Sequence, residues 1–372
     1  MQNQHKPVLI FAQSGRFLAQ SATQAGFRVW VADCFGDQET LSVADRWQHL
    51  PPLSNLSEND ALNSISELSQ GDECLLICGS GIESNYQTLE QLPANIKLIG
   101  NSFETIRAVK TPQIFFKLLS QLELPYPITV FIPPEDTSNW LVKSASGMGG
   151  SHIEYLENLT VASKPEHYFQ KFIQGASGSV LFLANGLQAQ IVNINKQFFT
   201  SIEHLSFQLG GIETPWLIPK HIKEELELAL NKLTSSVHLL GLNSLDFIIT
   251  AENKLLLLEI NPRPSASAEL VNNKAELFQH HLNACQGILP SPTISLSHDN
   301  ASFYTIFAMT DLIIPDQMSW PRECSDIPNS GTSISEGDPI CTSIVRSKSA
   351  HVGNERHIAI KKKIFDQLPL FG

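Results

Sequence analysis

One stretch restricts the possible folds of this chain more than any other. It runs Leu245-Asp246-Phe247-Ile248-Ile249-Thr250-Ala251-Glu252-Asn253-Lys254-Leu255-Leu256-Leu257-Leu258-Glu259-Ile260-Asn261-Pro262-Arg263. Two apolar runs, 247–249 and 255–258, flank the polar segment 250–254, which is the pattern of a β-hairpin with a short loop. Asp246 precedes the first strand and Glu259 follows the second. In an antiparallel pair the start of one strand lies beside the end of the other, so the two acids are expected as neighbours. Strand alternation then puts Asn261 on the same face as Glu259.

Two carboxylates about 4 Å apart repel by roughly 4 kcal/mol at an effective dielectric of about 20. A divalent cation removes that cost, and two carboxylates with an amide oxygen form a partial hard-oxygen set suited to Mg²⁺, completed by water and phosphate. Arg263 offers a planar fork that matches phosphate oxygens. The competing reading is a surface hairpin with solvated acids and an Asn-Pro-Arg turn.

At 372 residues the chain is long enough for two or three domains with buried cores. A formal net charge of −12 argues against non-specific nucleic-acid binding and anionic membranes, so an anionic ligand must be held by local cations. The six cysteines (Cys34, Cys74, Cys78, Cys285, Cys324, Cys341) show no C-x-x-C and are expected as reduced, mostly buried thiols. The N-terminus has no apolar signal core and no stretch reaches transmembrane length, so a soluble, cytoplasmic protein is expected.

Along the chain, residues 7–12 read as a strand, the turn Gln13-Ser14-Gly15-Arg16 leads into a helix ended by Gly26, and residues 27–33 form the next strand, closing on Asp33. An acid after a β-turn-α-β unit invites a nicotinamide-dinucleotide reading, but one glycine stands where that fingerprint has three. Residues 74–78 form another buried strand, followed by Gly79-Ser80-Gly81-Ile82-Glu83, where Ser80 or Glu83 could meet a substrate. Residues 97–101 are the last strand of this unit. Thr111-Pro112 opens a helix, with threonine as N-cap. Trp140-Leu141-Val142-Lys143 is a strand leading into Ser144-Ala145-Ser146-Gly147-Met148-Gly149-Gly150-Ser151, a loop whose backbone N–H groups could close over phosphates; a hairpin tip of small residues is the alternative. His152 beside it is expected as an exposed loop residue. Residues 220–240 carry apolar positions in steps of three and four, a core-facing helix that Gly241 is expected to cap. Beyond Pro290, residues 304–314 read as strand, 331–345 as two short strands around Glu-Gly-Asp-Pro, and 351–368 as a closing helix.

Together these pieces resemble the ATP-grasp superfamily over most of the chain. The resemblance implies a mixed α/β and α+β fold: a Rossmann-like preATP-grasp domain over 1–101, an ATP-grasp domain over 102–290 (lid subdomain about 126–185, hairpin lobe about 186–290), and a small β-containing C-terminal extension over 291–372. It makes Asp246, Glu259 and Asn261 the Mg²⁺ ligands and Arg263 a contact to the transferred phosphoryl or acyl phosphate. Lys143 and Lys110 become ATP-phosphate contacts, and Gly147, Gly149, Gly150 and Ser151 the flexible lid. Gln170, Lys171, Phe172 and Ile173 become the adenine hinge, although glutamine stands where an acid is usual and no ribose-binding acid follows. The catalytic residues implied are Arg263 and Lys143, and the cofactors ATP and Mg²⁺.

Within the superfamily, Glu259–Ser267 looks most like the branch of carboxylate–amine ligases acting on amino acids or cofactor precursors, with tyramine–glutamate ligases as the nearest shapes. The implied activity joins a small-molecule carboxylate to an amine through an acyl phosphate, converting ATP to ADP and phosphate. Enzymes of this size and shape often pair, which leaves a homodimer open. Two other classes stay open: a non-catalytic ATP-binding regulatory protein, and a nicotinamide-dependent oxidoreductase using the first β-turn-α-β unit.

Overall fold

The apolar runs near the N-terminus show no in–out alternation because they become a parallel sheet covered on both faces. In the computed structural model, which describes residues 6–145, 147, 149–159, 164, 166–200, 206–291 and 300–368, five strands form this sheet. They are β1 (Val8–Phe11), β2 (Val29–Asp33), β3 (Arg46–His49), β4 (Cys74–Cys78) and β5 (Ile96–Leu98), in the order β3-β2-β1-β4-β5. Helices α1 (Arg16–Gln24), α2 (Gln38–Val43) and α3 (Glu58–Ser69) connect them. Leu9, Phe11, Trp30 and Leu76 pack with Ala61, Ile65 and Leu68 of α3, whereas Val8, Ile10 and Val31 pack with Leu18, Ala19 and Ala22 of α1. The chain builds outward through β2 and β3, then returns to add β4 and β5 beyond β1. The strand order therefore reverses between β1 and β4, and the loops leaving these two strands flank the crevice where such sheets hold ligands.

Helices α4 (Phe103–Lys110) and α5 (Pro112–Gln121) follow. Ser102 caps α4 through Thr105 N; Thr111 stands at the N-cap of α5 as expected but makes no side-chain cap bond, so the fixed φ of Pro112 starts that helix. A small antiparallel sheet comes next: β6 (Thr129–Val130), β7 (Trp140–Ser144), β8 (Glu154–Tyr155) and β9 (His167–Lys171), ordered β6-β9-β7-β8.

The remainder is organised by one eight-stranded sheet. Its members are β10 (Gly175–Asn185), β11 (Ala189–Phe199), β12 (Leu209–Thr214), β13 (Leu240–Thr250), β14 (Leu255–Asn261), β15 (Asn300–Phe307), β17 (Cys324–Ser325) and β19 (Pro339–Ser347). The order is β14-β13-β10-β11-β12-β15-β19-β17, so the strands beyond Pro290 extend the same sheet. β16 (Leu312–Ile313) and β18 (Ser333–Ile334) pair separately, so the two strands around Glu-Gly-Asp-Pro exist but belong to different sheets. Helix α6 (Lys220–Val237) lays Ile222, Leu226, Leu230 and Leu233 on Val180, Phe182, Leu245 and Phe247, with Phe115 and Leu119 of α5 in the same cluster. Helix α7 (Lys274–Ala284) inserts Phe278 and Leu282 beside α1 and thereby ties this part of the chain to the first sheet. Helix α8 (Ala350–Phe365) closes the C-terminal strands.

Gly241 does not cap α6. His238 does, in the left-handed region at φ 56°, while Gly241 lies within β13 at φ +67°. A Cβ there would stand 2.4 Å from His281 Nδ1, so glycine is needed for close approach of α7. All six cysteines are free thiols, four of them buried. No helix among the described residues is long and apolar enough to cross a membrane.

Candidate functional site

The hairpin forms as its pattern requires: β13 and β14 are antiparallel, and Asp246 stands directly opposite Glu259. One detail decides where Glu259 points. The pairing slips between Asp246 and Phe247, which leaves Leu258 as an extra residue on β14. Leu255 and Leu257 belong to the core cluster, and so does Ile260. A regular strand would place Glu259 on the same face as Leu257; the bulge shifts the phase by one residue and turns Glu259 and Asn261 onto the face of Asp246.

On that face Gln197 Nε2 donates to Asp246 Oδ1 at 3.1 Å, and Asn261 Nδ2 donates to Asp246 Oδ2 at 3.3 Å. Lys110, at the end of α4, donates from Nζ to Glu259 Oε2 at 3.1 Å. Burial, reinforced by the charge of Glu259, pushes the Asp246 carboxyl above the usual carboxylate range. Burial would raise Glu259 as well, but Lys110 and Lys143 override it and hold Glu259 ionised. Among the described residues no group of three or more His, Cys, Asp or Glu side chains could hold a metal ion, so the acid pair has no third carboxylate or imidazole beside it. Two carboxylates and the Asn261 Oδ1, which accepts no hydrogen bond from the described residues, fit Mg²⁺ in the way its incomplete protein cages do.

Lys143 is buried on β7 and donates to Gln170 Oε1 at 2.7 Å; Gln170 Nε2 in turn donates to Thr129 Oγ1 at 3.0 Å. Burial lowers the Lys143 ammonium, while the charges of Glu259 and Asp246 oppose that shift. Lys143 and Lys110 thus bring two cations to the acid pair from separate elements. Gln170 spends its side chain on Lys143 and Thr129 instead of facing outward. Lys171 sends its ammonium to Ser138 O at 2.9 Å and over the Trp140 ring, and Phe172 packs its ring with Tyr155 and Phe207. The Lys171 and Phe172 N–H groups donate to Ile128 O and Asn139 O. Among the described residues the Ile173 N–H has no partner, which leaves that backbone group of the four open to a base.

In the glycine loop, Ser146 and Met148 lie outside the described residues. Gly147 is packed under His152: a Cβ would fall 1.9 Å from the ring, so His152 is half-buried against the loop and not the exposed residue expected. Gly149 (φ +64°) accepts from Leu209 N at 2.9 Å. Gly150 (φ +83°) would drive a Cβ to 1.9 Å from Phe207 O. These glycines let the loop lie close on the segment entering β12, and exposed Ser151 follows at its edge.

Arg263 is held from the first sheet: its Nε donates to Glu83 Oε1 at 2.9 Å and its Nη1 to Pro264 O at 3.2 Å. A buried charge cluster that sequence reading missed ties the first sheet to the C-terminal strands. Arg16 Nε donates to Asp326 Oδ1 at 2.6 Å, and Arg16 Nη2 donates to both oxygens of Glu269 at 2.7 and 2.6 Å. Thr342 Oγ1 also donates to Asp326 Oδ2 at 2.6 Å. Arg16 lies 310 and 253 positions from Asp326 and Glu269, so no local signal marks these pairs. Gln197 had one: Asn193, Asn195 and Gln197 repeat at strand spacing on β11 and betray a polar face.

Asp33, the acid that invited a dinucleotide reading, is fully buried. It accepts from Gly15 N at 2.9 Å, Gly36 N at 3.0 Å and Trp47 Nε1 at 2.9 Å. Both oxygens are committed to holding turns, so a ribose would find no free acid, and the nicotinamide reading loses its anchor.

A family model described as "ATP-grasp domain" matches residues 113–267. No curated protein sequence matches the chain. Among solved structures it is similar to N5-carboxyaminoimidazole ribonucleotide synthetase from Thermotoga maritima, at 16% identity over 96% of this chain and 98% of that one, with a TM-score of 0.68. It is also similar to biotin carboxylase from Campylobacter jejuni in complex with βγ-ATP, at 15% identity over 99% and 93%, TM-score 0.74. A third is N5-carboxyaminoimidazole synthase from Aspergillus clavatus with ADP and 5-aminoimidazole ribonucleotide, at 14% identity over 98% and 99%, TM-score 0.71. Residues 113–267 thus match the model of an ATP-grasp domain, and the chain as a whole has the ATP-grasp fold.

Proposed function

We propose that this protein is an ATP- and Mg²⁺-dependent carboxylate–amine ligase that forms an amide or peptide-type bond through an acyl phosphate. The observation that carries the reading is the convergence of Lys110 and Lys143, from α4 and β7, on the Asp246–Glu259–Asn261 face, with Arg263 two residues past Asn261 on the same segment and held by Glu83. Asp246, Glu259 and Asn261 would hold Mg²⁺, which would supply charge neutralisation for ATP phosphates. Lys110 and Lys143 hold the phosphates, and Arg263 offsets the charge on the transferring group.

In the first step a substrate carboxylate oxygen bonds to the γ-phosphorus as the bridging P–O bond to ADP breaks. In the second an amine nitrogen bonds to the acyl carbon, the C–O bond to phosphate breaks, and the nitrogen gives up a proton. Such phosphoryl transfer asks the protein for positioning and charge, with no protein nucleophile. Closure of the Gly147–Ser151 loop keeps water from the acyl phosphate. The Ile173 N–H is the hinge group offered to the base. We place the acceptor at the junction of the first sheet with the segment after Arg263, and read it as an amino acid or cofactor precursor.

The test is calorimetric titration of AMP-PNP with and without Mg²⁺ on wild type and on the Glu259→Gln, Asn261→Ala double variant. Magnesium-dependent binding that the variant loses is expected, followed by phosphate release in a screen of acids paired with amines. No binding by wild type overturns the ATP reading. Binding with no turnover across the screen favours a regulatory protein.

A further inference from the structure

Glu83 has no part in the reaction outlined above, yet it is among the most deeply placed acids of the chain. It sits in the loop leaving β4, on one side of the crevice where the strand order of the first sheet reverses. In many α/β proteins that crevice receives the ligand. Here the loop is locked against the sheet. Gln13 N donates to Ser80 O at 2.6 Å, a Cβ on Gly79 would stand 2.8 Å from Ala12 Cβ, and Gly81 turns at φ +91° with a Cβ position 2.6 Å from Leu53. Asn85 Nδ2 adds a bond to Leu53 O at 2.6 Å.

The Glu83 side chain is 2% exposed, and each of its oxygens has one donor: Gly81 N on Oε2 at 3.0 Å and Arg263 Nε on Oε1 at 2.9 Å. Arg263 is also fixed through its backbone neighbourhood, since Asn101 Nδ2 donates to Pro262 O at 2.9 Å and prolines stand on both sides of it. The guanidinium is thus gripped through Nε and Nη1, while among the described residues Nη2 has no partner. An arginine held by Nε keeps its outer edge for a planar anion. Lys110, paired with Glu259, also feels the charge of Glu83, so the carboxylate belongs to the same network as the acid pair.

We propose that Glu83 is a positioning residue for Arg263: a carboxylate of the first sheet that aims the guanidinium edge at the phosphoryl group in transfer. This rests on the ligase reading. It also gives the N-terminal sheet a role in the chemistry beyond carrying substrate. Loss of Glu83 should weaken interactions made to the transferring group and leave ground-state nucleotide binding intact, because Lys110, Lys143 and the acid pair are held by other contacts.

The test uses full-length protein and two probes, Mg·AMP-PNP for the ground state and Mg·ADP with aluminium fluoride as a mimic of the phosphoryl in transfer. Glu83→Gln keeps the shape but forces an NH₂ against one of the two donors. It is expected to weaken the aluminium fluoride complex by about 10- to 100-fold, the usual effect of losing a supporting partner, with AMP-PNP affinity changed by less than about threefold. In an Arg263→Ala background the same substitution should add nothing, since interacting sites are not additive. Glu83→Ala is run beside it and should show the same pattern. Unchanged affinity for the mimic, an equal loss for both probes, or a full additional loss in the Arg263→Ala background each overturns the proposal. Failure of wild type to bind AMP-PNP is a different result and overturns the ligase reading instead.

Discussion

Lys110→Met should move two affinities in opposite directions. Lys110 Nζ lies 3.1 Å from Glu259 Oε2, and its side chain is 7% exposed while that of Glu259 is 43% exposed. At that distance and a dielectric of about 20 the Coulomb attraction is about 5 kcal/mol, but water at the half-open carboxylate screens most of it, as at exposed pairs. We take about 1–2 kcal/mol as the part that a metal ion must displace when it claims Glu259. Removing the lysine should therefore tighten binding of Mg²⁺ or Mn²⁺ alone by about 5- to 30-fold, as an uncompensated acid pair gains a cation. The same substitution removes a charged hydrogen-bond donor from the nucleotide phosphates, a loss of about 1.5–3 kcal/mol, so AMP-PNP at saturating Mg²⁺ should bind about 10- to 150-fold more weakly. Titration calorimetry with metal alone and with nucleotide reads both. If the two affinities fall together, or neither moves, Lys110 is not the cation exchanged between Glu259 and phosphate, and the reasoning fails.

Three further outcomes can be measured. Asp33→Ala strands two buried donors, Gly15 N and Gly36 N, and frees the partly exposed Trp47 indole, so it should cost about 2–4 kcal/mol in a urea unfolding curve; nicotinamide nucleotides should bind neither form. Gly150→Ala sets a Cβ against Phe207 O in a left-handed backbone, so it should slow acid- and amine-stimulated phosphate release by about tenfold or more and speed proteolytic nicking of the loop. His281 and His357 are both pushed down to about 4 by burial. Nδ1 of His281 accepts from Leu242 N, and His357 lies between Ser302 and Ser343, so the neutral forms are the native ones. Since the unfolded chain takes up protons near pH 6.5 and the folded chain does not, stability is fully present above that pH and falls between about 6.5 and 4, by up to about 3 kcal/mol per histidine. Urea midpoints at pH 7.5, 5.5 and 4.5 should show this, and His281→Gln should flatten the slope.

Much of the site was legible in the linear sequence because it is local. Asp246, Glu259 and Asn261 lie within sixteen positions on one hairpin, and the hairpin follows from two apolar runs around a polar turn. Lys143 before its glycines, and α6 with its steps of three and four, follow from periodicity and composition in the same way. These features depend on neighbours along the chain, and the backbone geometry of strands and helices converts spacing into position directly.

Tertiary structure alone decided the rest. Four consecutive leucines conceal the phase of β14, so only pairing with β13 shows that Leu258 is the extra residue that turns Glu259 toward Asp246. Arg16 meets Asp326 across 310 positions, and Arg263 meets Glu83 across 180, through contacts that no pattern of spacing encodes. Gln170 turned inward to Lys143 because a buried ammonium needs an acceptor, whatever residue the hinge position carries. A sequence states which groups are polar and how often the chain turns. Which buried charge finds which partner is set by packing, where leaving either one unpaired costs more than any local preference can offset.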